Sequence, residues 1–259
     1  MVNFTENHNI WIAFFSTRHS VRVFDNRPVP RKVIEEILKA AIHAPTTGNM
    51  QLYSVIVTDD VDGKSKLAAQ HFNQPAAVNA SAIITFCADY NRFEKWCLAR
   101  EAKPGFNNFQ SFVAAMLDAT IVAQQFSVIA EMVGIGTCIL GTTTYNANEI
   151  GELLSLPARV VPVLSLAIGY MRDDEPDSPT ERLPVDAVLH YGKYSDYNDN
   201  DIDRLYAEKE NLPENVEFVK ENGKKSLAQV FTDVRYPKSN NEIFSTKFIE
   251  YIIKQGYNL

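Results

Sequence analysis

The feature that most constrains the fold is residues 109–133, where apolar side chains occupy almost every face of one long helix. Gly134 follows this stretch, and glycine is the residue type that most often ends a helix. A helix that is apolar all round needs packing partners on every side, so it belongs in the centre of a fold or an assembly. The chain has 259 residues and 46% hydrophobic content, which can supply those partners.

Helical and extended patterns alternate on both sides of this central helix. Apolar periodicity, with glycine and proline as boundaries, predicts helices at 9–15, 31–43, 64–70 and 146–154 and strands at 53–58, 82–88 and 161–168. Asn146, with Glu149 three residues later, predicts a capping box on the last of these helices. The alternation predicts a sheet domain of the α/β or α+β class.

The composition changes near residue 195. Residues 1–195 carry the alternating pattern, with a polar, proline-containing linker at 171–182. Residues 196–259 are largely charged, with tyrosine and phenylalanine interleaved, and this pattern predicts a helical C-terminal extension. Helices this polar cannot form a core of their own, so we expect the extension to pack on the same domain or on a partner subunit.

Charge and cysteine content exclude several classes of function. The net charge of −7, with no basic block longer than Lys224-Lys225, argues against a nucleic-acid surface. Cys87, Cys97 and Cys138 are widely spaced, and the histidines lack metal-ligand spacing, so neither a disulfide framework nor a metal site is expected. The N-terminus does not resemble a signal peptide, and no stretch approaches the roughly 20 apolar residues of a membrane span. These features predict a cytoplasmic protein with no membrane partner.

The first segment that can carry chemistry is residues 16–24, where Arg18, His19, Ser20 and Arg22 follow a predicted helix. Guanidinium groups bind phosphate through paired, charge-assisted hydrogen bonds, and a serine hydroxyl can add another. A phosphorylated cofactor would suit these groups. A short run with two arginines is also typical of a solvated loop, so this segment needs support from elsewhere.

Two further segments supply that support. Residues 44–51 form a turn of small polar residues in which asparagine and glutamine amides match the mixed donor and acceptor edge of a flavin pyrimidine ring. Such residues are also ordinary in loops. Residues 134–141 have the spacing G-x-G-x-x-x-x-G and follow a helix, which excludes a Rossmann fingerprint. We expect these glycines to permit close backbone approach to a flat ligand or between helices.

Together the three segments resemble the nitroreductase family, in order and in spacing. Its members carry an R-R/H-S-x-R-x-F start, an A-P-S/T-x-x-N-x-Q turn and a buried helix ending in G-L/I-G-T-C, and the resemblance covers residues 10–194. It implies an α+β fold with a central, mostly antiparallel sheet flanked by helices, a long buried central helix, and an entwined homodimer. It also implies FMN at the dimer interface.

The resemblance assigns most cofactor contacts to side chains. Arg18 and Ser20 are expected to hold the ribityl-phosphate with His19 close by, and Arg22 is expected near flavin N1 and O2, where reduction places negative charge. Asn49 and Gln51 are expected at the pyrimidine edge, with the cofactor-binding residues Thr46 and Thr47 in the same loop, and this loop is expected to be supplied across the dimer.

Backbone groups and one further arginine complete the expected set. Leu140 and Gly141 are expected to present backbone groups over the flavin, including an N–H toward N5. Arg182 lies in a segment that resembles the family's K-P-R-L/M-P motif, so it is expected to reach the phosphate. Thr180 replaces the usual lysine of that motif, which removes one cation from the expected site.

The function that the resemblance implies is an FMN-dependent NAD(P)H oxidoreductase with a ping-pong mechanism. NADH or NADPH delivers hydride to flavin N5 and leaves, and a nitroaromatic, quinone or flavin acceptor then takes the electrons. No protein nucleophile is required, and no catalytic side chain is expected beyond the electrostatic role of Arg22. The alternative is a flavin-binding protein that sequesters or fragments FMN without nicotinamide turnover. A dimeric scaffold with an empty groove is the remaining alternative.

The aromatic-rich segment at residues 90–109 has two interpretations. Its side chains could form a lid over the open face of the flavin, or they could form a connection that packs on the partner subunit. The side chains concerned are Phe93, Trp96, Arg100, Lys103 and Phe106.

Overall fold

The computed structural model describes residues 8–173 and 180–259. Residues 174–179, within the predicted polar linker, and residues 1–7 lie outside the described part. The described residues group into two units, one of residues 8–19 and 180–243 and the other of residues 20–173 and 244–259. The predicted division between residues 195 and 196 stays a prediction.

The helices and strands of both units alternate along the chain until residue 169. The strands are β1 (Tyr53–Thr58), β2 (Ala82–Asp89), β3 (Gly136–Leu140) and β4 (Val160–Gly169). The α-helices are α1 (His8–Ser16), α2 (Arg31–Ala41), α3 (Val61–Gln70), α4 (Pro75–Asn79), α5 (Asn91–Leu98), α6 (Phe109–Met132), α7 (Ala147–Leu153), α8 (Asp199–Asn211), α9 (Pro213–Glu221), α10 (Leu227–Val230) and α11 (Lys238–Lys254).

The second unit is built on a four-stranded antiparallel sheet with the strand order β1-β2-β4-β3. The predicted antiparallel α+β sheet is confirmed, and β1 occupies the predicted residues. β3 was not predicted, because its five residues, GTCIL, are too few and too rich in small residues to show a strand pattern. Pairing with β4 makes this segment a strand.

Helices cover both faces of the sheet. On one face α2 and α6 pack against β2, where Ile37 and Phe126 join Ile84 in one apolar cluster. On the other face α3, α4 and α7 contribute a second cluster around Ile83. Every residue of β2 is buried in consequence. The apolar side chains of β2 are therefore removed from solvent on both faces of the sheet, which stabilises the sheet.

The long helix α6 contacts all four strands, so the prediction of a buried central helix is confirmed. By length and composition α6 could also cross a membrane, and this corrects the expectation that no segment is apolar enough. The scattered polar side chains of α6 do not lower its mean hydropathy below that of a membrane span. The core helix of a globular domain passes the same test, and α6 packs in such a core.

The predicted capping box at Asn146 is wrong. The Asn146 side chain accepts no hydrogen bond from the first turn of α7, and its Nδ2 donates instead to the carbonyl of Gln70, 2.6 Å away. A tertiary hydrogen bond therefore replaces the local one. A capping box does form at α8, where Asn198 and Asp201 bond each other's backbone N–H groups.

Two glycines that face each other on β3 and β4 leave space for side chains of the chain segment that follows α1. Gly136 lies opposite Gly169 in the register. A Cβ at Gly136 would lie 2.9 Å from the Val21 side chain, and one at Gly169 would lie 2.8 Å from the Phe24 ring. Residues 21–25 also bond the sheet edge, from Val21 N to Thr137 O and from Asp25 N to Tyr170 O. Gly136 thus accommodates a side chain of this chain, and not the ligand or helix expected from sequence.

We predict that Gly169→Ala lowers the free energy of unfolding by about 2 kcal/mol, because the new methyl group overpacks against the buried Phe24 ring. Equilibrium urea unfolding of the two proteins measures the change. Gly105→Ala is the control, since a Cβ there meets nothing within 4 Å and should change stability by less than about 0.5 kcal/mol. Equal urea midpoints of unfolding for Gly169→Ala and the unmodified protein would show that the Phe24 ring accommodates a methyl group at position 169 without loss of stability.

The C-terminal region is helical, as its charged pattern predicted. In the first unit, Arg204 of α8 forms an ion pair with Asp186 at 2.8 Å. In the second unit, the end of the chain enters the apolar core, where Tyr251, Ile252 and Tyr257 pack with Phe112.

Candidate functional site

The loop between α2 and β1 has an unusual backbone. Gly48, Asn49 and Gln51 all have φ between 54° and 55°, in the left-handed region. This conformation is free for glycine, but for other residues it costs on the order of 1 kcal/mol and persists only where surrounding contacts impose it. Contacts from elsewhere in the fold must therefore hold this loop.

Asp118 of α6 supplies the main contacts. Its carboxylate is 1% exposed, and Oδ1 accepts hydrogen bonds from Thr47 N at 2.8 Å and Thr47 Oγ1 at 2.9 Å. Oδ2 accepts a third hydrogen bond from Leu52 N at 3.1 Å. Since α6 is fixed in the core, this carboxylate holds the loop at both ends. No role was predicted for Asp118, although an aspartate among apolar helix residues is itself a signal of a buried polar contact.

Arg92 of α5 holds the end of the loop from another direction. Its Nη2 donates to the carbonyl oxygen of Gln51 and, at 3.3 Å, to that of Tyr53. The backbone N–H of Arg92 donates to Asp89 Oδ1 at 3.3 Å. Arg92 therefore fixes the backbone at Gln51. This role of Arg92 was not predicted from the sequence.

The loop presents its two amide side chains outward. Asn49 and Gln51 are exposed, and Gln51 Nε2 lies 3.4 Å from both the backbone oxygen and Oδ1 of Asn49. The Oγ1 atom of Thr46 is buried and has no hydrogen-bond partner among the residues that the structure describes. A buried hydroxyl without a partner costs free energy, so this atom marks a position where a polar ligand atom would be stabilised.

The predicted phosphate-binding segment falls on both units. Arg18 and His19 are half-buried in the first unit, with His19 Nδ1 3.4 Å from Thr17 O. Ser20 and Arg22 belong to the second unit. Because the Val21 side chain packs onto β3, the next side chain points away from the core, and Arg22 is exposed with Nη1 3.3 Å from Ser20 O.

Leu140 and Gly141 lie where β3 ends and a 3₁₀ turn, Gly141–Thr144, begins. The Leu140 side chain is fully buried, and its carbonyl oxygen accepts a 2.7 Å hydrogen bond from Thr143 Oγ1. A Cβ on Gly141 would meet nothing within 4 Å, so the backbone at this point is open.

Arg182 lies in the first unit and is exposed. Its Nη1 donates to the carbonyl oxygens of Thr180 and Glu181, each at 3.0 Å. Lys209 of α8 bonds Glu181 Oε1 at 2.9 Å, and this hydrogen bond lowers the pKa of the Glu181 carboxyl group. A lysine therefore does lie beside this segment, although it comes from α8 and not from position 180.

The side chains of residues 90–106 form an aromatic cluster. The Tyr90 and Phe106 rings stack with centroids 5.4 Å apart, and Phe93 lies 5.6 Å from Phe106 and 5.4 Å from Trp96. Trp96 is 58% exposed at the edge of this cluster. The lid stays a prediction.

The donors at these positions are amides, hydroxyls and guanidinium groups. The amides and hydroxyls of residues 46–51 suit a polar ring system, and the guanidinium groups suit an anionic group. Within residues 8–173 and 180–259, no three or more histidine, cysteine, aspartate or glutamate side chains are grouped so that they could hold a metal ion.

A sequence model described as the Nitroreductase family matches residues 15–170 of this chain. The chain belongs to the nitroreductase family. An "NADPH-dependent oxidoreductase" from Staphylococcus saprophyticus is 32% identical over 193 residues, which cover 73% of this chain and 76% of that relative. The predicted family is therefore confirmed, and so is the prediction of an oxidoreductase.

Two solved structures share this fold. A protein from Bacteroides fragilis NCTC 9343, designated an oxidoreductase, has a TM-score of 0.92 and 42% identity, and the match covers 95% of this chain and 100% of that one. NfrA2 of B. megaterium has a TM-score of 0.81 and 26% identity, with 96% and 98% of the two chains covered. The likeness extends beyond residue 170 because these matches cover nearly the whole chain.

Proposed function

We propose that this nitroreductase binds FMN and reduces a nitroaromatic, quinone or flavin acceptor with hydride taken from NADPH or NADH, in a ping-pong cycle. When bound, FMN supplies the ring that accepts hydride at N5 and returns it to the acceptor. The observation that carries the proposal is the loop of residues 46–51, whose strained backbone is held by Asp118 and Arg92 with its amide side chains exposed.

The residues present fit FMN. Asn49 and Gln51 offer both donors and acceptors, as the pyrimidine edge of a flavin requires. The Thr46 hydroxyl, which has no partner within the described part of the chain, can add one more hydrogen bond. The segment of Arg18, His19 and Ser20 has the charge and hydroxyl donors for the phosphate, with Arg182 as a further cation.

Arg22 is the side chain to which we assign the electrostatic role. Its backbone is fixed by the packing of Val21 against Gly136, and its guanidinium group is exposed. A fixed cation beside N1 and O2 stabilises the negative charge that reduction places there, and so favours hydride transfer from nicotinamide. Arginine suits this role because it stays protonated at all relevant pH values.

We also propose that the enzyme is a homodimer. Leu117 and Ile121, one helical turn apart on α6, are 51% and 39% exposed, while the buried side of the helix packs in the core. Apolar side chains at this spacing share one face of a helix, which is how a helix meets a partner. A second copy of the chain that covers this face would give α6 the partners that its composition requires.

The name of the staphylococcal relative supports NADPH as the donor, and the experiment compares both donors. The full chain is reconstituted with FMN and freed of excess cofactor, and NADPH or NADH is added without oxygen. We expect the visible absorbance of the bound flavin to bleach and to return when a nitroaromatic or a quinone is added.

Two arginine variants, one in the assigned site and one outside it, make this test more specific. Arg22→Gln should retain FMN and slow the bleaching by about 10- to 100-fold, because it removes the charge near the reacting ring. Arg27→Gln is the matched control, since Arg27 contacts Asp25 and the Tyr170 ring and lies outside the assigned site. Retained flavin that neither donor bleaches would favour a protein that sequesters or fragments FMN. A protein that retains no flavin would overturn the site assignment.

A further inference from the structure

A fully buried histidine lies next to the turn that follows β3. His71 directly follows α3, is 0% exposed, and places its Nδ1 2.9 Å from Thr142 Oγ1. Its Nε2 has no hydrogen-bond partner among the described residues. Burial lowers the pKa of His71 to about 4, so the imidazole is neutral at physiological pH.

The end of α3 holds this turn at a second point. Asn146 Nδ2 donates to Gln70 O, the carbonyl of the residue before His71. The residue before Asn146, Tyr145, stacks on Phe244, with ring centroids 4.2 Å apart and ring planes 5° from parallel. Phe72 packs against the same Phe244 ring in an edge-on contact. Residues 142–146 are therefore tied to residues 70–72 by two hydrogen bonds and one aromatic group.

The inner side of the turn is tied to β3. Thr143 Oγ1 donates to the carbonyl oxygen of Leu140 at 2.7 Å. That carbonyl belongs to the peptide group whose N–H is that of Gly141, so its orientation also sets the direction of the Gly141 N–H. Because the Thr142 side chain contacts His71 and the Thr143 side chain bonds the Leu140 carbonyl oxygen, the Leu140–Gly141 peptide group has little freedom to rotate.

We propose that His71 is a positioning residue for the flavin: through Thr142 it fixes the Leu140–Gly141 peptide group and thereby sets the electron affinity of the bound cofactor. This inference rests on the proposed function, because it places the flavin beside that peptide group. A hydrogen bond near a flavin ring changes the relative stability of its oxidised and reduced forms.

The chemistry of the site favours a neutral imidazole. The hydroxyl of Thr142 can either donate to Nδ1 or accept from it, so both neutral tautomers keep the contact. The contact therefore persists unchanged through the physiological pH range.

The test measures the reduction potential of bound FMN and the dissociation constants of its oxidised and reduced forms. Thr142→Val keeps the side-chain shape and removes the hydroxyl, and His71→Leu removes the imidazole. We expect each to change the ratio of the two dissociation constants by about fivefold to tenfold, the effect of losing one hydrogen bond. Thr144→Val is the matched control, because Thr144 lies in the same turn but is neither the residue that contacts His71 nor the one that bonds Leu140.

A conservative variant separates positioning from packing. His71→Asn places an amide nitrogen near the position of Nδ1 and should restore the ratio toward that of the unmodified enzyme. The inference is overturned if Thr142→Val and His71→Leu bind FMN with an unchanged potential. If His71→Leu does not fold, Thr142→Val decides alone. Failure of the proposed function would look different, since the unmodified protein would then bind no FMN or would hold FMN that neither nicotinamide donor bleaches.

Discussion

Asp118→Ala is expected to lower the free energy of unfolding by about 3 kcal/mol and to weaken FMN binding at least tenfold. The carboxylate is buried and accepts hydrogen bonds from Thr47 N, Thr47 Oγ1 and Leu52 N. Its removal leaves the buried N–H of Leu52 without a partner. It also releases a loop whose left-handed residues then relax, so the loss appears in both stability and affinity.

Equilibrium urea unfolding of the apoprotein and FMN titration measure the two effects separately. Asp118→Asn should lose part of the stability, because an amide oxygen can still accept from Thr47 while the amide NH₂ group faces the N–H of Leu52. Asp62→Asn is the control for charge: Asp62 is exposed and pairs with Lys66, so its change should stay within about 0.5 kcal/mol. Tight FMN binding by a destabilised Asp118→Ala protein would contradict the assigned role of the loop.

Acid should destabilise this protein through His71 over a defined range. Burial lowers its pKa to about 4 from an ordinary value of 6.5. Above pH 6.5 the imidazole is neutral in the folded and unfolded chains, and its contribution is constant. As the pH falls from 6.5 to 4, the unfolded chain binds a proton that the folded chain does not. The free energy of unfolding then falls by on the order of 3 kcal/mol.

Comparison with His71→Asn isolates this contribution, because asparagine does not titrate. Urea unfolding at intervals between pH 7 and pH 4 gives the stability of both proteins. At pH 7 the unmodified protein should be the more stable one, and its advantage should shrink by about 3 kcal/mol toward pH 4. If the free energies of unfolding of the two proteins change in parallel with pH, His71 titrates with an ordinary pKa in the folded protein and the prediction is wrong.

Several elements of the fold could be predicted from the sequence because their signals are local. The strand at residues 53–58 and the helix that begins at Phe109 lie where side-chain periodicity placed them. The motifs that resemble the nitroreductase family also lie close together in the sequence, and the match over residues 15–170 confirms the family. The cofactor assignments of Arg18, Arg22, Asn49 and Gln51 stay predictions until flavin binding is measured.

Prediction from local sequence patterns failed where the structure depends on a residue that is distant along the chain. Asn146 has the sequence context of a helix cap, yet its side chain bonds the carbonyl of Gln70. The segment that forms β3 shows no strand pattern of its own, since its strand state depends on pairing with β4. In both cases the competing partner lies far away in the sequence, where no local pattern records it.

The sequence by itself therefore determined the helices and strands with strong periodicity, the family, and the types of donors available to a cofactor. Only the tertiary structure decided how those donors are held. Asp118 bonds residues 66 and 71 positions away, and His71 bonds a threonine 71 positions away. Such contacts depend on how helices dock on the sheet, because hydrogen bonds act over about 3 Å in space regardless of separation along the chain.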